Sequence, residues 1–272
     1  MSAQAVRVSP QWLVLREPAD AAARSAELAE RLRHDLPGGQ LVIHDLGGGS
    51  GAMARWLAPR LPGPQHWVVH DRDADLLELA VADPPGPAAN GAAVTVEARR
   101  SDITRPAPGD LAGASLFTAS ALLDMLTADE LAAMLGACTG IGCAMLLTLT
   151  VVGRVALTPA DPLDAHVAAA FNAHQRRTTP AGRLLGPDAV PLAVGELRAT
   201  GAEVLVRPSP WRLDAAHADL IAAWLDGWVS AACEQEPALA AEAGAYRDRR
   251  LRQAAAGELA VTVDHADLLV AP

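Results

Sequence analysis

Apolar residues in this chain follow two rhythms. Short unbroken runs rich in β-branched residues predict buried strands, and longer stretches with an apolar residue every three or four positions predict amphipathic helices. QWLVL at 11–15 reads as a short strand or an extended arm. Pro18 to about Leu36 reads as a helix, with Leu28, Leu32 and Leu36 on one stripe, Pro18 in the first turn and Pro37-Gly38-Gly39 as the stop. A strand at 41–43 then runs through Asp45 into Gly47, Gly48, Gly49 and Gly51, and Ala52, Met53, Trp56, Leu57 and Leu61 follow at helical spacing. Further strands are predicted at 66–70, 92–98, 116–119, 144–152, 202–207 and 259–263. Helices are predicted between them: 73–82, 128–138 behind a Thr127/Glu130 capping box, one opened by Asp161 as N-cap with Pro162 in first position, and 188–200. Residues 208–258 break the alternation with two helices, one with Leu220, Ile221, Trp224, Leu225 and Trp228 on one face and one holding Tyr246.

Strand, glycine turn, helix at 41–61 is the opening of a nucleotide-binding α/β unit. Glycine allows the tight turn and lets a ligand approach bare main chain. Two patterns fit the same residues. Gly47-x-Gly49-x-x-Ala52 satisfies a relaxed dinucleotide fingerprint, and Asp45-x-Gly47-x-Gly49-x-Gly51 satisfies an acidic-x-Gly-x-Gly-x-Gly pattern. Asp45 separates them. A carboxylate two residues before the first glycine repels a pyrophosphate but attracts the ammonium of an amino-acid ligand, which favours S-adenosylmethionine (SAM). Asp71, 20 residues after Gly51 at the tip of the second strand, is placed to accept from both ribose hydroxyls of either ligand.

On Asp45, Gly47, Gly49 and Gly51 (DLGGGSG), with Asp71, the chain resembles the class I SAM-dependent methyltransferases. The resemblance implies a Rossmann-like three-layer αβα sandwich around a seven-stranded, mostly parallel sheet, with 208–258 as a helical insertion before the last strand. It makes 1–39 an N-terminal helical segment that can serve as a lid, and 40–272 the SAM-binding domain. It implies contacts from Arg72 beside Asp71, from Asp102 to the adenine amino group and from Ile103 to the ring. Ser120 and Ala121, beyond the fourth strand, then approach the methionine part of SAM or the acceptor.

Other residues bear on the acceptor. His166 and His174 share a stripe of the helix after the fifth strand, and Arg176 and Arg177 follow. His174 with Asp161 behind it is the candidate general base, and Arg176, Arg177 and Asp124 are candidate acceptor contacts, the arginines for an anionic group.

Net charge is −10, and all 22 basic side chains are Arg, which excludes lysine chemistry and argues against nucleic acid as a partner. With one Tyr, two Phe and six scattered Trp there is no aromatic platform for bases. No apolar run approaches the ~20 residues of a membrane span, and the first residues, MSAQAVRVSPQ, lack a signal core, so the cytoplasm is the expected location. Cys138, Cys143 and Cys233 have no metal-ligand spacing, and no metal is expected. The expected function is in-line methyl transfer from SAM, with S-adenosylhomocysteine (SAH) as product, to a small-molecule acceptor. The alternatives are an NAD(P)-dependent oxidoreductase and a non-catalytic SAM- or SAH-binding protein. Monomer and homodimer are both open.

Overall fold

In the computed structural model, residues 8–105 and 109–271 are described; residues 1–7 of the expected lid segment, including most of the stretch read for a signal, lie outside them, as does Pro272. The chain begins with a correction. Pro10–Ala23 is a helix, α1, where a strand or arm was expected at 11–15. Ser9 caps it by accepting from the Trp12 amide, and Pro10 stands in the first turn, where its missing N–H costs nothing. Pro18 therefore lies inside α1 rather than at a helix start. The backbone turns extended at Arg24, and Ser25 caps a second helix, α2, Ala26–Asp35. The single helix expected over 18–36 is two helices meeting at a corner.

The elements that follow are β1 (Leu41–Leu46), α3 (Ala52–Leu57), β2 (Gln65–Asp71), α4 (Ala74–Ala82), β3 (Val94–Arg100), β4 (Leu116–Ser120), α5 (Ala128–Thr139) and β5 (Ala144–Thr158). Next come α6 (Asp164–Gln175), the hairpin β6–β7 (Thr178–Thr179 and Gly182–Arg183), α7 (Ala189–Ala199), β8 (Glu203–Pro208), β9 (Trp211–Leu213), α8 (Ala218–Gln235), α9 (Ala240–Ala255) and β10 (Ala260–Ala271). The main sheet has the order β3-β2-β1-β4-β5-β10-β8, with β9 also paired to β10. The strands from β1 to β5 run parallel, while β10 is antiparallel to β5, β8 and β9. Helices cover both faces. The three-layer Rossmann-like expectation holds, with eight strands where seven were expected.

The extra strand, β9, lies in the 208–258 insertion, which was read as helices alone. β10 is also longer than the expected 259–263, because His265 and Asp267 interrupt its apolar alternation. Both are buried, and register shifts at Val263/His265 and Ala266/Leu268 accommodate them. β5 likewise runs on past Val152 to Thr158. β4 ends at Ser120, opposite Thr148, so the second half of β5 and the first half of β10 stand above the C-terminal edge of the parallel strands. With β9, α6, α8 and α9 they form a cap whose apolar core includes Trp211, Trp224, Trp228 and Tyr246, and Trp12, Leu15, Ala19 and Ala23 of α1 join that core. Separate cores lie under α5 and α7 on one sheet face and under α2 and α3 on the other.

Candidate functional site

The glycine turn sits at the C-terminal end of β1, between the ends of β2 and β4, where ligands of open α/β sheets bind. Gly47, Gly49 and Gly51 have φ of 66°, 53° and 83°, a region that side chains disfavour. Gly48 is required for a different reason. A Cβ there would lie 2.4 Å from Asp45 Oδ2 and 2.8 Å from Val69 Cγ1. The turn is folded down onto the carboxylate.

Asp45 is 0% exposed. Its Oδ1 accepts from Thr118 Oγ1 at 2.7 Å, across the register of β1 and β4, and its Oδ2 has no partner among the described residues. Burial pushes its carboxyl up to about 7, against the opposing effects of the Thr118 bond and the Arg24 charge. Asp71 is also at the turn: its Oδ2 accepts from the Gly49 amide and its Oδ1 from the Asp73 amide, both at 2.9 Å. Asp73, not Asp71, caps α4. This leaves the Asp71 carboxylate at the strand tip, fixed by backbone bonds, with lone pairs left to accept from hydroxyls.

Across the end of β2, Arg72 donates to Asp102 and to Thr104 Oγ1, and Asp102 also accepts from the Thr104 amide at 3.0 Å. Asp102 and Ile103 line a cavity with His70, Leu46, Leu111 and Met134. His70 is held by Ser101 Oγ and by His44, each at 2.9 Å, and burial pushes both imidazoles down to about 4, so they are neutral. At the end of β4, Ala121 has φ of 52° and donates its amide to the Thr148 carbonyl at 2.9 Å. Asp124 is half-buried, and its carboxyl is raised by desolvation, with the Arg16 charge opposing.

All ten residues expected to bind the cofactor, from Asp45 to Ala121, thus lie at the ends of β1 to β4 or just beyond them. The acceptor-side candidates are placed differently. Asp161 lies just before α6 and His174 in its last turn, with about 15 Å of helix between Asp164 and His174, and the expected pairing is not formed. The helix starts at Asp164, so Asp161 is not its N-cap. Asp161 accepts from the Leu163 amide at 3.0 Å and from Arg249 Nε at 2.8 Å. His174 meets Glu234 at 3.1 Å, and His166 meets Glu236 at 3.0 Å. Arg176 grips Asp188 through two 2.6 Å bonds, and Arg177 donates to the His174 carbonyl at 3.2 Å.

The structure adds a residue that the sequence reading passed over. Arg24, at the corner between α1 and α2, is 4% exposed. Its Nη2 donates to Ser120 Oγ at 3.0 Å, while Nε and Nη1 have no partner among the described residues. Ser25, three residues before Leu28, is the N-cap signal that would have revealed the corner. α1 lies against the glycine turn. Glu17 of α1 takes Arg55 of α3 in a bidentate pair at 2.7 and 2.6 Å. Leu13 of α1 has its Cδ1 3.6 Å from the point where a Gly49 Cβ would lie.

No protein-family model matches the sequence, and no curated protein does. Among solved structures, a candidate type II methyltransferase from Anaeromyxobacter dehalogenans is 17% identical, with a TM-score of 0.50 over 90% of this chain and 94% of that one. A SAM-dependent methyltransferase from Thiobacillus denitrificans, in complex with SAH, is 16% identical, with a TM-score of 0.46 over 98% of this chain and 100% of that one. A cyclopropane synthase from Mycobacterium tuberculosis is 15% identical, with a TM-score of 0.47 over 97% and 95%. At such identities the likeness is one of fold, and the first of the three carries it.

Proposed function

From a chain that has the fold of the class I SAM-dependent methyltransferases, we propose a SAM-dependent methyltransferase that acts on a small-molecule acceptor. The observation that carries this is Asp45: a fully buried carboxylate under the glycine turn with one oxygen that has no partner among the described residues. A buried polar atom without a partner is costly and rare, and at a ligand site it marks where a ligand donor belongs. The donor that suits a carboxylate is a cation. A nicotinamide dinucleotide would bring a pyrophosphate to the same turn, and a carboxylate beneath it opposes that charge. Asp71 supplies the acceptor for a ribose, and the cavity at Asp102 and Ile103 supplies an apolar wall with a carboxylate for an adenine.

The group these residues fit supplies an activated methyl on a sulfonium. The protein's part is then alignment and exclusion of water. Asp45 and Asp71 hold the two ends of the ligand, the positive-φ turn lets it lie against main chain, and α1 covers the turn. Titration calorimetry with SAH, and with NAD and NADP in parallel, tests this. Micromolar binding of SAH alone is the expected result, and binding of NAD or NADP in its place would overturn the assignment.

A further inference from the structure

The α1–α2 corner places a buried cation in a setting that no described residue completes. Three acids lie near Arg24, and none of them bonds its guanidinium. Asp20 accepts from Arg16 at 2.9 and 3.2 Å and from Trp211 Nε1 at 2.9 Å. Asp267 accepts from the Ser25 amide at 2.7 Å and the Leu149 amide at 2.8 Å. Asp45 is bonded to Thr118, and its free oxygen points under the glycine turn. A guanidinium offers five N–H donors, and here only Nη2 is bonded while Nε and Nη1 have no partner among the described residues. Unfilled guanidinium donors suit carboxylate oxygens.

Position narrows the ligand further. Arg24 is held at Ser120 and Asp45 at Thr118, and these two anchor residues, two positions apart on β4, are about 7 Å apart along the strand. The two receptors have opposite charge, and both are buried. An α-amino acid, with ammonium and carboxylate on one carbon, spans such a gap with one hydrogen bond of ~2.9 Å at each end.

We propose that Arg24 is the receptor for the carboxylate of the ligand's amino-acid end, which makes the α1–α2 corner part of the cofactor site. The proposal rests on the SAM reading above. It extends that reading from the strand ends to the N-terminal helices and gives α1 a ligand-dependent position. Arg24 terminates the helix whose Leu13 lies against the glycine turn. Capture of the carboxylate then adds to the contacts that hold α1 on the turn.

The test compares two ligands on the full chain. SAH carries the amino acid; 5′-methylthioadenosine carries the nucleoside and thioether without it. Arg24→Met keeps the apolar stem beside Trp56, whose ring lies 5.6 Å from the guanidinium. In calorimetry this variant is expected to lose roughly 10- to 100-fold in SAH affinity, the range of a charge-assisted pair, with 5′-methylthioadenosine affinity unchanged. Arg24→Lys is expected to recover part of the loss. SAH is expected to slow amide exchange across 10–23 in the unaltered chain, and 5′-methylthioadenosine is not. Unchanged SAH affinity in Arg24→Met would overturn the proposal, and so would an equal loss for both ligands, which would make Arg24 a structural residue. Failure of the unaltered chain to bind SAH at all would instead remove the SAM reading, and the proposal with it.

Discussion

Two buried arginine–aspartate clusters in this molecule differ in completeness. In the cap, Arg250 is 1% exposed. Its Nη2 donates to both oxygens of Asp164 at 2.6 Å, and its Nη1 donates to the Pro159 carbonyl at 2.7 Å and to Gln253 at 2.9 Å. Tyr246 adds its hydroxyl to Asp164 at 2.6 Å, and among these groups only Arg250 Nε is left without a partner. At the glycine turn, Arg24 has one bond and Asp45 has one. The cap cluster closes on itself and ties α9 to the start of α6, so its yield is structure. The cluster at the turn is held apart by the elements that carry it, and no described residue completes it. Burial of charge alone does not mark a ligand site; unfilled donors and acceptors do.

The largest effect should come from breaking the complete cluster. Asp164→Ala leaves Arg250 buried without its counter-charge, which costs about 3–5 kcal/mol. For a chain of this size that is a fall in Tm on the order of 10 °C. Scanning calorimetry checks it, and SAH affinity of the folded variant should stay within a factor of about two. A Tm within a degree of the unaltered chain would show that the cap does not depend on this cluster.

Removing a charge from the incomplete cluster should do the reverse. Burial raises the Asp45 carboxyl to about 7, so between its unfolded value near 4 and 7 the native chain holds a proton that the unfolded chain has lost. This aspartate therefore lowers stability as pH rises through that window, and the full penalty is present above about 7. Asp45→Asn is expected to be more stable than the unaltered chain at pH 8 by a few kcal/mol, with the difference closing toward pH 4. The same variant should bind SAH at least tenfold more weakly at pH 8. Melting curves across pH together with calorimetry separate the two effects; a variant no more stable at pH 8 than at pH 4, relative to the unaltered chain, would contradict the buried, ionising carboxylate.

The difference between the clusters also explains what could be read beforehand. The parallel strands, the glycine turn and Asp71 were legible because each is a local signal: an apolar run, a set of glycines, an acid at a strand tip. The N-terminal helix was not, because the apolar run at 12–15 gains its helical state from Ser9 and Pro10 before it and from packing on the cap, and Pro18 offered a false start. The far half of β10 was hidden by His265 and Asp267, polar residues on a strand, whose burial depends on partners more than 100 positions away, such as the Leu149 amide. Arg24 was hidden for the same reason. Nothing within a few residues of it shows that Ser120 and Asp45 will stand opposite. Asp161 and His174 illustrate the converse: proximity in sequence suggested a pair, and the helix between them keeps them apart.

A smaller effect tests whether the incomplete cluster has distinct ends. Asp71→Ala should weaken SAH and 5′-methylthioadenosine alike, each by about tenfold, because the ribose is common to both. Arg24→Met is expected to affect SAH alone. Calorimetry with both ligands on both variants gives the four affinities, and a loss confined to SAH in Asp71→Ala would move that residue away from the ribose.

The smallest effect on binding is expected at His174, on the cap side. Its Nε2 is paired with an exposed Glu234, and an exposed pair of this kind is worth at most ~1 kcal/mol. Its Nδ1 lies 3.5 Å from Arg177 Nη1, so neither ring nitrogen resembles the unfilled donors of Arg24. His174→Ala should thus leave SAH affinity within about twofold and the fold intact. A role in proton transfer is a separate quantity and is read separately. If His174 takes the acceptor's proton, single-turnover methyl transfer falls about 100-fold at unchanged SAH affinity. Glu234→Gln then produces part of that loss, because it removes the carboxylate that orients the ring. Equal single-turnover rates in the histidine variant and the unaltered chain remove His174 from the chemistry and leave it, with Glu234, as a contact between α6 and α8.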